Sequence, residues 1–301
     1  MARRLTPPHA PDAAATAETV LRVAVLLQAG AAPAQAWRHL ADSGDAAAQR
    51  IVAAHEAGAP LVDAIAAAGP DAWPDLAAAW RVALTVGAPL ADSMRGIAGA
   101  LRDAHEAADD VRVALAEPAG TARLMSWLPL VGLGLGVLLG FDTVGVLVAQ
   151  PLGIACLVAG GILIAGAHRW SARLVRRARA DGGVPGLRAD VVAIALSGGV
   201  SIDRALELTG AALGKVVRAE DGDTVAEVLA LSRAAGVPAI ELLRASAAHA
   251  RHRARVDGRL RAARLSTRLL LPLGVCTLPA FLLLGVAPML LSVLTTMPLS
   301  I

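Results

Sequence analysis

GAPLVDAI at 58–65 returns as GAPLADSM at 87–94, and more loosely as GVPAIELL at 236–243. A Gly-x-Pro phrase is helix punctuation. Glycine takes the left-handed conformation that closes one helix, and proline suits the first turn of the next, where its missing N–H is no loss. Asp63 and Asp92 then fall in that first turn, where the helix dipole favours a negative charge. Each phrase predicts a helix end, a tight corner and a new helix, hinged on Gly58 and Pro60, on Gly87 and Pro89, and on Gly236 and Pro238. Taken singly, each is a helical-hairpin corner. The recurrence is what carries information.

The chain has 301 residues, 56% of them hydrophobic and only 2% aromatic, with a positive mean hydropathy. Alanine and leucine, both strong helix formers, make up much of the apolar excess, and no stretch alternates with period two. The expected fold class is all-α. Of the 28 Lys and Arg residues only Lys215 is lysine, a bias that fits GC-rich coding better than a nucleic-acid surface. A net charge of +3 is small, and aromatics to stack bases are nearly absent, so no nucleic acid is expected. Cys156 and Cys276 lie inside apolar runs and read as packing residues, not as a disulfide framework.

Residues 124–141 and 143–167 are uncharged and apolar, and 269–301 holds no ionisable side chain. A bilayer core needs about 20 apolar residues in a helix, so three spans are expected. Arg169, Arg173, Arg176, Arg177 and Arg179 follow the second, and Arg255, Arg259, Arg261, Arg264 and Arg268 precede the third. The positive-inside rule places both clusters in the cytoplasm. The expected order is a flexible tail over 1–17 and a cytoplasmic helical bundle over 18–122. Two membrane helices follow within 123–168 (about 124–141 and 149–168), joined by a short external turn. A second bundle over 169–265, a third span over 266–296 and an external tail over 297–301 complete a polytopic membrane protein. Pro272, Pro279 and Pro288 leave open whether the third span is one helix or a broken one.

The two cytoplasmic segments read as copies of one another. VLLQAGAAPAQAW (25–37) aligns with AIALSGGVSIDRAL (193–206) when Gly30 is set against Gly199. VALTVGAPLADSMR aligns with ALSRAAGVPAIELLR, pairing Gly87 with Gly236, Pro89 with Pro238 and Arg95 with Arg244. Between these anchors the second copy is shorter, which removes any counterpart of the Gly58 phrase. Leu90, Met94, Ile97, Leu101, Ala104, Ala108, Val111 and Leu115 form one apolar stripe on a long helix, with Arg102, Asp103, Glu106, Asp109 and Arg112 beside it. The stripe is expected to pack within its own bundle. In the second copy it becomes Ile240, Leu243, Ala247, Ala250 and Ala254, with Arg-rich flanks that suit anionic lipid headgroups or an acidic partner.

A search for chemistry is mostly negative. GAALGKV at 210–216 resembles a phosphate loop but is one residue short and ends in Val216 where magnesium would need a hydroxyl. His249 and His252 share a helix face, and His105 precedes Glu106, yet no HExxH or cysteine cluster accompanies them. No GxSxG occurs, and Asp142 lacks a GxGD context. The spans carry none of the ionisable groups that a proton- or ion-coupled transporter needs. No enzyme, cofactor or metal is expected.

Several motifs carry a family resemblance. They are AGAAPAQA and SGGVSIDRAL, the Trp73-Pro74 step before VGAPLADSM, AAGVPAIELL, the QPLG turn at 150–153 and the proline-bearing last span. In that order relative to the spans, over roughly 18–296, the chain resembles the type II secretion F family. Within it the chain is most similar to the tight-adherence (Tad, Flp pilus) platform proteins of the TadB and TadC type. The resemblance implies a non-enzymatic inner-membrane platform that couples a cytoplasmic secretion ATPase to pilin or pseudopilin extraction. It also implies association with itself or with a paralogous platform protein. Many relatives have a Gly-Glu pair where this chain has Val86-Gly87 and Ala235-Gly236, so no metal is carried over. The partner surface is expected around Arg95 and Arg244, at the start of the two long helices. The competing reading is a transport or signalling scaffold subunit of another complex.

Overall fold

A computed structural model describes residues 10–70, 72–138, 145, 148–178, 183–214, 219–288 and 290–291. Among the described residues there is no strand. The helices are α1 (Ala10–Gln28), α2 (Pro33–Asp42), α3 (Ala46–Glu56), α4 (Leu61–Ala66), α5 (Ala72–Val86) and α6 (Leu90–Leu138). They continue with α7 (Pro151–Ala178), α8 (Leu187–Ser197), α9 (Ile202–Leu213), α10 (Ala219–Ala235) and α11 (Ala239–Pro272). Two π-helical turns, Leu273–Thr277 and Leu282–Val286, flank the short α12 (Leu278–Phe281). Helix α1 begins inside the stretch expected as a tail over 1–17, because its alanines favour helix and Thr16 and Ala17 are buried.

The Gly-x-Pro corners fold as the spacing predicts. At the end of α3 the Gly58 N–H donates to the His55 carbonyl and the Ala59 N–H to the Ala54 carbonyl, the paired bonds of a Schellman closure. That geometry needs a positive φ at Gly58, observed at 101°, which a side chain would resist. Gly30, Gly87, Gly199 and Gly236 also have positive φ, at the ends of α1, α5, α8 and α10. Pro60 is the N-cap of α4, while Pro89 and Pro238 immediately precede α6 and α11.

The chain divides into two compact units, Met1–Asp109 with Asp181–Asp257, and Asp110–Ala180 with Gly258–Ile301. In the first, helices from before and after the apolar stretches share a single core. Trp37 and Trp80 lie at its centre, their rings 5.9 Å apart, with Trp73 6.3 Å from Trp37. Alanines such as Ala36, Ala48, Ala79 and Ala83 are fully buried, and their small side chains let the helices approach closely. Met94, Ile97 and Leu101 of the α6 stripe join this core, so that part of the stripe packs internally. Asp45 caps α3, accepting from the N–H groups of Ala47 and Ala48 at 2.9 Å, and the Thr19 hydroxyl donates to it at 2.6 Å, tying α1 to the corner. Helices α8 and α9 pack on α5. A Cβ built on Gly198 would stand 2.4 Å from Val86 Cγ2 and 2.6 Å from the Val86 carbonyl oxygen, so only glycine permits that approach.

In the second unit, one helix is long and apolar enough among the described residues to cross a membrane, Pro151–Leu174. Only 17% of its most apolar window is buried, leaving Leu152, Ile154, Leu157, Val158 and Ile162 exposed, a surface suited to lipid. A shorter apolar helix covers Gly274–Val286. The first expected span continues α6 as helix to Leu138, and 139–141 lie outside the described residues, as do most of the external turn, Asp142, Arg179, Lys215, Val216 and the tail over 297–301. The last apolar stretch is continuous helix through 288, widened into a π turn shortly before Pro279 and again before Pro288. Each proline lacks an N–H and crowds the carbonyl four residues back, and a wider turn relieves both. Gly160 on α7 packs under Leu284, whose Cγ would be 2.5 Å from an added Cβ.

Candidate functional site

Helix α6 is acidic where α11 is basic. Beyond its buried stripe α6 carries Asp103, Glu106, Asp109 and Asp110, while α11 carries Arg251, Arg253, Arg255 and Arg259. In the first unit Arg251 is nearly buried and bridges two helices. Its Nη1 donates to Asp190 of α8 at 2.7 Å, and its Nε to Asp103 of α6 at 3.1 Å. Arg255 donates to Glu106 at 3.1 Å and lies 4.0 Å from Asp103. In the second unit Arg259 donates to Asp110 at 2.8 Å, and a Cβ on Gly258 would come within 2.9 Å of Val111 Cγ2. The partner numbers climb together along both helices, so α6 and α11 run in the same direction.

Burial outweighs the Arg251 guanidinium at Asp190 and pushes its carboxyl up from 3.8 to about 6; the neighbouring charges of Arg251 and Arg244 pull the other way. Asp190 is thus a carboxylate that the fold holds close to protonation. Sequence reading passed it over, because it stands alone in the apolar helix LRADVVAIALS. Arg251 was one arginine among many. The legible signal was the matched spacing of acids at 103, 106 and 110 with arginines at 251, 255 and 259. That pairing also redirects the expectation for the basic flanks of α11, since three of the arginines meet acids of the same chain. Arg253, Arg264 and Arg268 stay exposed.

Arg95 and Arg244 are both half-exposed on the early turns of their helices. Arg95 donates to the Gln28 side chain at the end of α1 and lies 3.6 Å from Asp92. Arg244 pairs with Glu241 at 3.4 Å. Arg244 is near enough to act on Asp190, whereas Arg95 is held against α1, so the structure gives the two arginines different neighbours. His249 and His252 are exposed, and His105 lies 3.4 Å from Asp109. Among the described residues no three His, Cys, Asp or Glu side chains gather as a metal site would require. What the arrangement offers is mechanical: charged side chains tie α6, α8 and α11 together next to an apolar core.

The model of type II secretion system protein F matches residues 19–138, from α1 to the end of α6. Residues 19–138 thus form a type II secretion system F domain. Members of this family are inner-membrane platform proteins of secretion and pilus systems, generally not enzymes, and they interact with secretion ATPases and pilins. No curated protein and no solved structure matches the chain. The matched F domain therefore contains Gly30, Gly58, Gly87 and Arg95, while Arg244, Arg251 and Asp190 lie beyond it.

Proposed function

We propose that this chain is the inner-membrane platform of a Tad/Flp-like pilus or a related type II secretion machine, coupling a cytoplasmic secretion ATPase to pilin or pseudopilin extraction. The observation that carries the reading is the F-family match over a helical unit whose chain continues into an apolar, outward-facing helix at Pro151–Leu174. The arginines flanking the apolar stretches favour a multi-pass chain with both helical segments in the cytoplasm and the C-terminus outside. The corresponding corner phrases favour an internal duplication, here joined in one core. Unbroken helices, α6 above all, suit a part that passes displacement from a motor towards the membrane. The ATPase-facing surface is assigned to the polar faces around Arg95 and Arg244. Itself, or a paralogous platform protein, is the expected neighbour in the membrane, with lipid around it.

The test is complementation of a strain lacking this gene. The intact chain should restore surface fibres or secreted pseudopilin, and the Arg95→Ala/Arg244→Ala double variant, present at normal abundance, should not. Full output from the double variant would remove the ATPase-surface assignment, and no loss of fibres or secretion in the deletion strain would remove the platform reading.

A further inference from the structure

The contact that joins the two cytoplasmic segments is one-sided. Helix α5 is buried all along one broad arc. Trp73 and Trp80 lie at one edge of that arc, while Ala78, Val82 and Val86 form a ridge on the opposite side, and Val86 meets Gly198 at the end of α8. By the corner alignment, 149 positions separate α5 from α10, the same interval that separates Glu106 from Arg255. The counterparts of the α5 ridge are Glu227, Leu231 and Ala235, and all three are exposed. Val82 is 2% exposed where Leu231 is 55% exposed. Meanwhile the core-facing residues of α10, Val225, Leu229 and Ser232, are as buried as their counterparts Leu76, Trp80 and Ala83.

The receiving side shows the same imbalance. The alignment of Gly30 with Gly199 sets Val191, Ile194 and Gly198 of α8 against Arg22, Val25 and Ala29 of the α1 region. Val191 and Ile194 are buried, Ile194 being 7% exposed, whereas Arg22 and Ala29 are exposed and Val25 is 54% exposed. So α5 packs on α8, with Val86 of its ridge against Gly198, while among the described residues no other helix covers the counterpart ridge on α10 or the counterpart face on α1, where Arg22 pairs only with Glu18 of its own helix. An interface between unlike faces of a repeated unit does not close on itself; it leaves one free face of each kind.

We propose that these two faces meet between copies of this chain: the α10 ridge Glu227–Leu231–Ala235 of one molecule docks on the α1 face Arg22–Val25–Ala29 of the next, head to tail. This deepens the self-association within the proposed function and rests on the duplication assumed there. The substitutions fit a reversible version of the internal contact. Leu231 is larger than Val82 and Val25 smaller than Ile194. Ala29 takes the place of Gly198 and Ala235 that of Val86, so the helices meet a little further apart. Ala78 and Val191, each buried and apolar, have Glu227 and Arg22 as counterparts, which carry opposite charges. An exchange of buried apolar groups for a solvated charge pair keeps the match and weakens the hold.

Two differently tagged full-length copies are co-expressed in membranes with Cys156→Ser and Cys276→Ser, one carrying Val25→Cys and the other Leu231→Cys, and treated with a short thiol cross-linker. A mixed-tag dimer is expected, with none from either variant alone, and a chain carrying both cysteines should give a ladder. Arg22→Glu on one copy should abolish the adduct, and Glu227→Arg on the other should restore it. No mixed adduct from chains that are inserted and folded would overturn the proposal. So would an equal adduct from Val25→Cys alone, which means a symmetric contact, or adducts only with a different protein. The read-out needs no ATPase or pilin, so loss of the platform role and loss of this contact are told apart.

Discussion

Glu106 on α6 and Arg255 on α11 stand 149 positions apart in the chain and meet at 3.1 Å. Asp110 and Arg259 repeat the interval and meet at 2.8 Å. The same offset relates Gly87 to Gly236 and Arg95 to Arg244. Two ion pairs at the same sequence interval along parallel helices fix their register. A slip of one turn, about 5.4 Å, would part both carboxylates from their guanidinium partners.

Charge reversal tests that register. Glu106→Arg or Arg255→Glu alone should destabilise the first unit by roughly 0.5–1 kcal/mol, since both side chains are partly solvated. The two together should recover most of the loss. A double variant no more stable than the worse single one would show that the pair does not set the register. Chemical denaturation of the purified chain in detergent reads the difference.

Arg251 should matter more than its exposed neighbours. Arg251→Ala strands Asp190 in a nearly dry site and leaves Asp103 with one fewer partner, a loss of about 3 kcal/mol by the usual cost of breaking a buried pair. Arg251→Lys should recover only part, because one ammonium cannot reproduce the two-sided reach of the guanidinium. A loss below that of the Glu106 variants would show that Arg251 is not the central tie.

Asp190 gives the first unit a pH dependence with an unusual sign for a carboxylate. Its folded value of about 6 lies above the ordinary 3.8, so between those limits the folded state binds more protons than the unfolded one. Stability from this group is therefore full below about pH 4, falls as pH rises to about 6, and is level above. The change amounts to up to about 3 kcal/mol. Asp190→Asn should flatten that part of the stability curve, leaving the rest of its shape unchanged. An unchanged slope in the variant would place the titration elsewhere.

Close approach at two glycines can be separated from helix propensity by their neighbours. Gly160→Leu should displace Leu284 and loosen α7 from the last helical run, whereas Gly161→Leu, with nothing within 4 Å of its Cβ, should be tolerated. Gly198→Val should cost about 1–3 kcal/mol by overpacking against Val86, and Val86→Ala should relieve only part of it, because the Val86 carbonyl also stands in the way. Equal effects at Gly160 and Gly161 would mean that helix propensity, not contact, decides.

The corners were the most legible part of this fold. A Gly-x-Pro phrase specifies a backbone conformation locally, and Gly30, Gly58, Gly87, Gly199 and Gly236 all adopt it. The α6 stripe was legible for the same reason, because helical period alone predicts which of its residues face a core. The joining of both helical segments in one core was not, since the decisive contacts, such as Val86 on Gly198, depend on which helices meet and not on any local pattern. Asp190 escaped because a lone carboxylate in an apolar helix has no periodic partner to mark it. Its partner Arg251 lies 61 positions away. The π turns before Pro279 and Pro288 follow from proline chemistry, yet whether a helix widens or breaks there depends on what packs beside it.

The most direct test of the platform role is capture of the tagged chain from its native membranes in mild detergent, with mass spectrometry of the proteins retained. The account predicts a secretion ATPase and a small pilin among them, with the ATPase diminished by the Arg95→Ala/Arg244→Ala variant. Retention of a sensor or transport complex, with neither ATPase nor pilin, would contradict it.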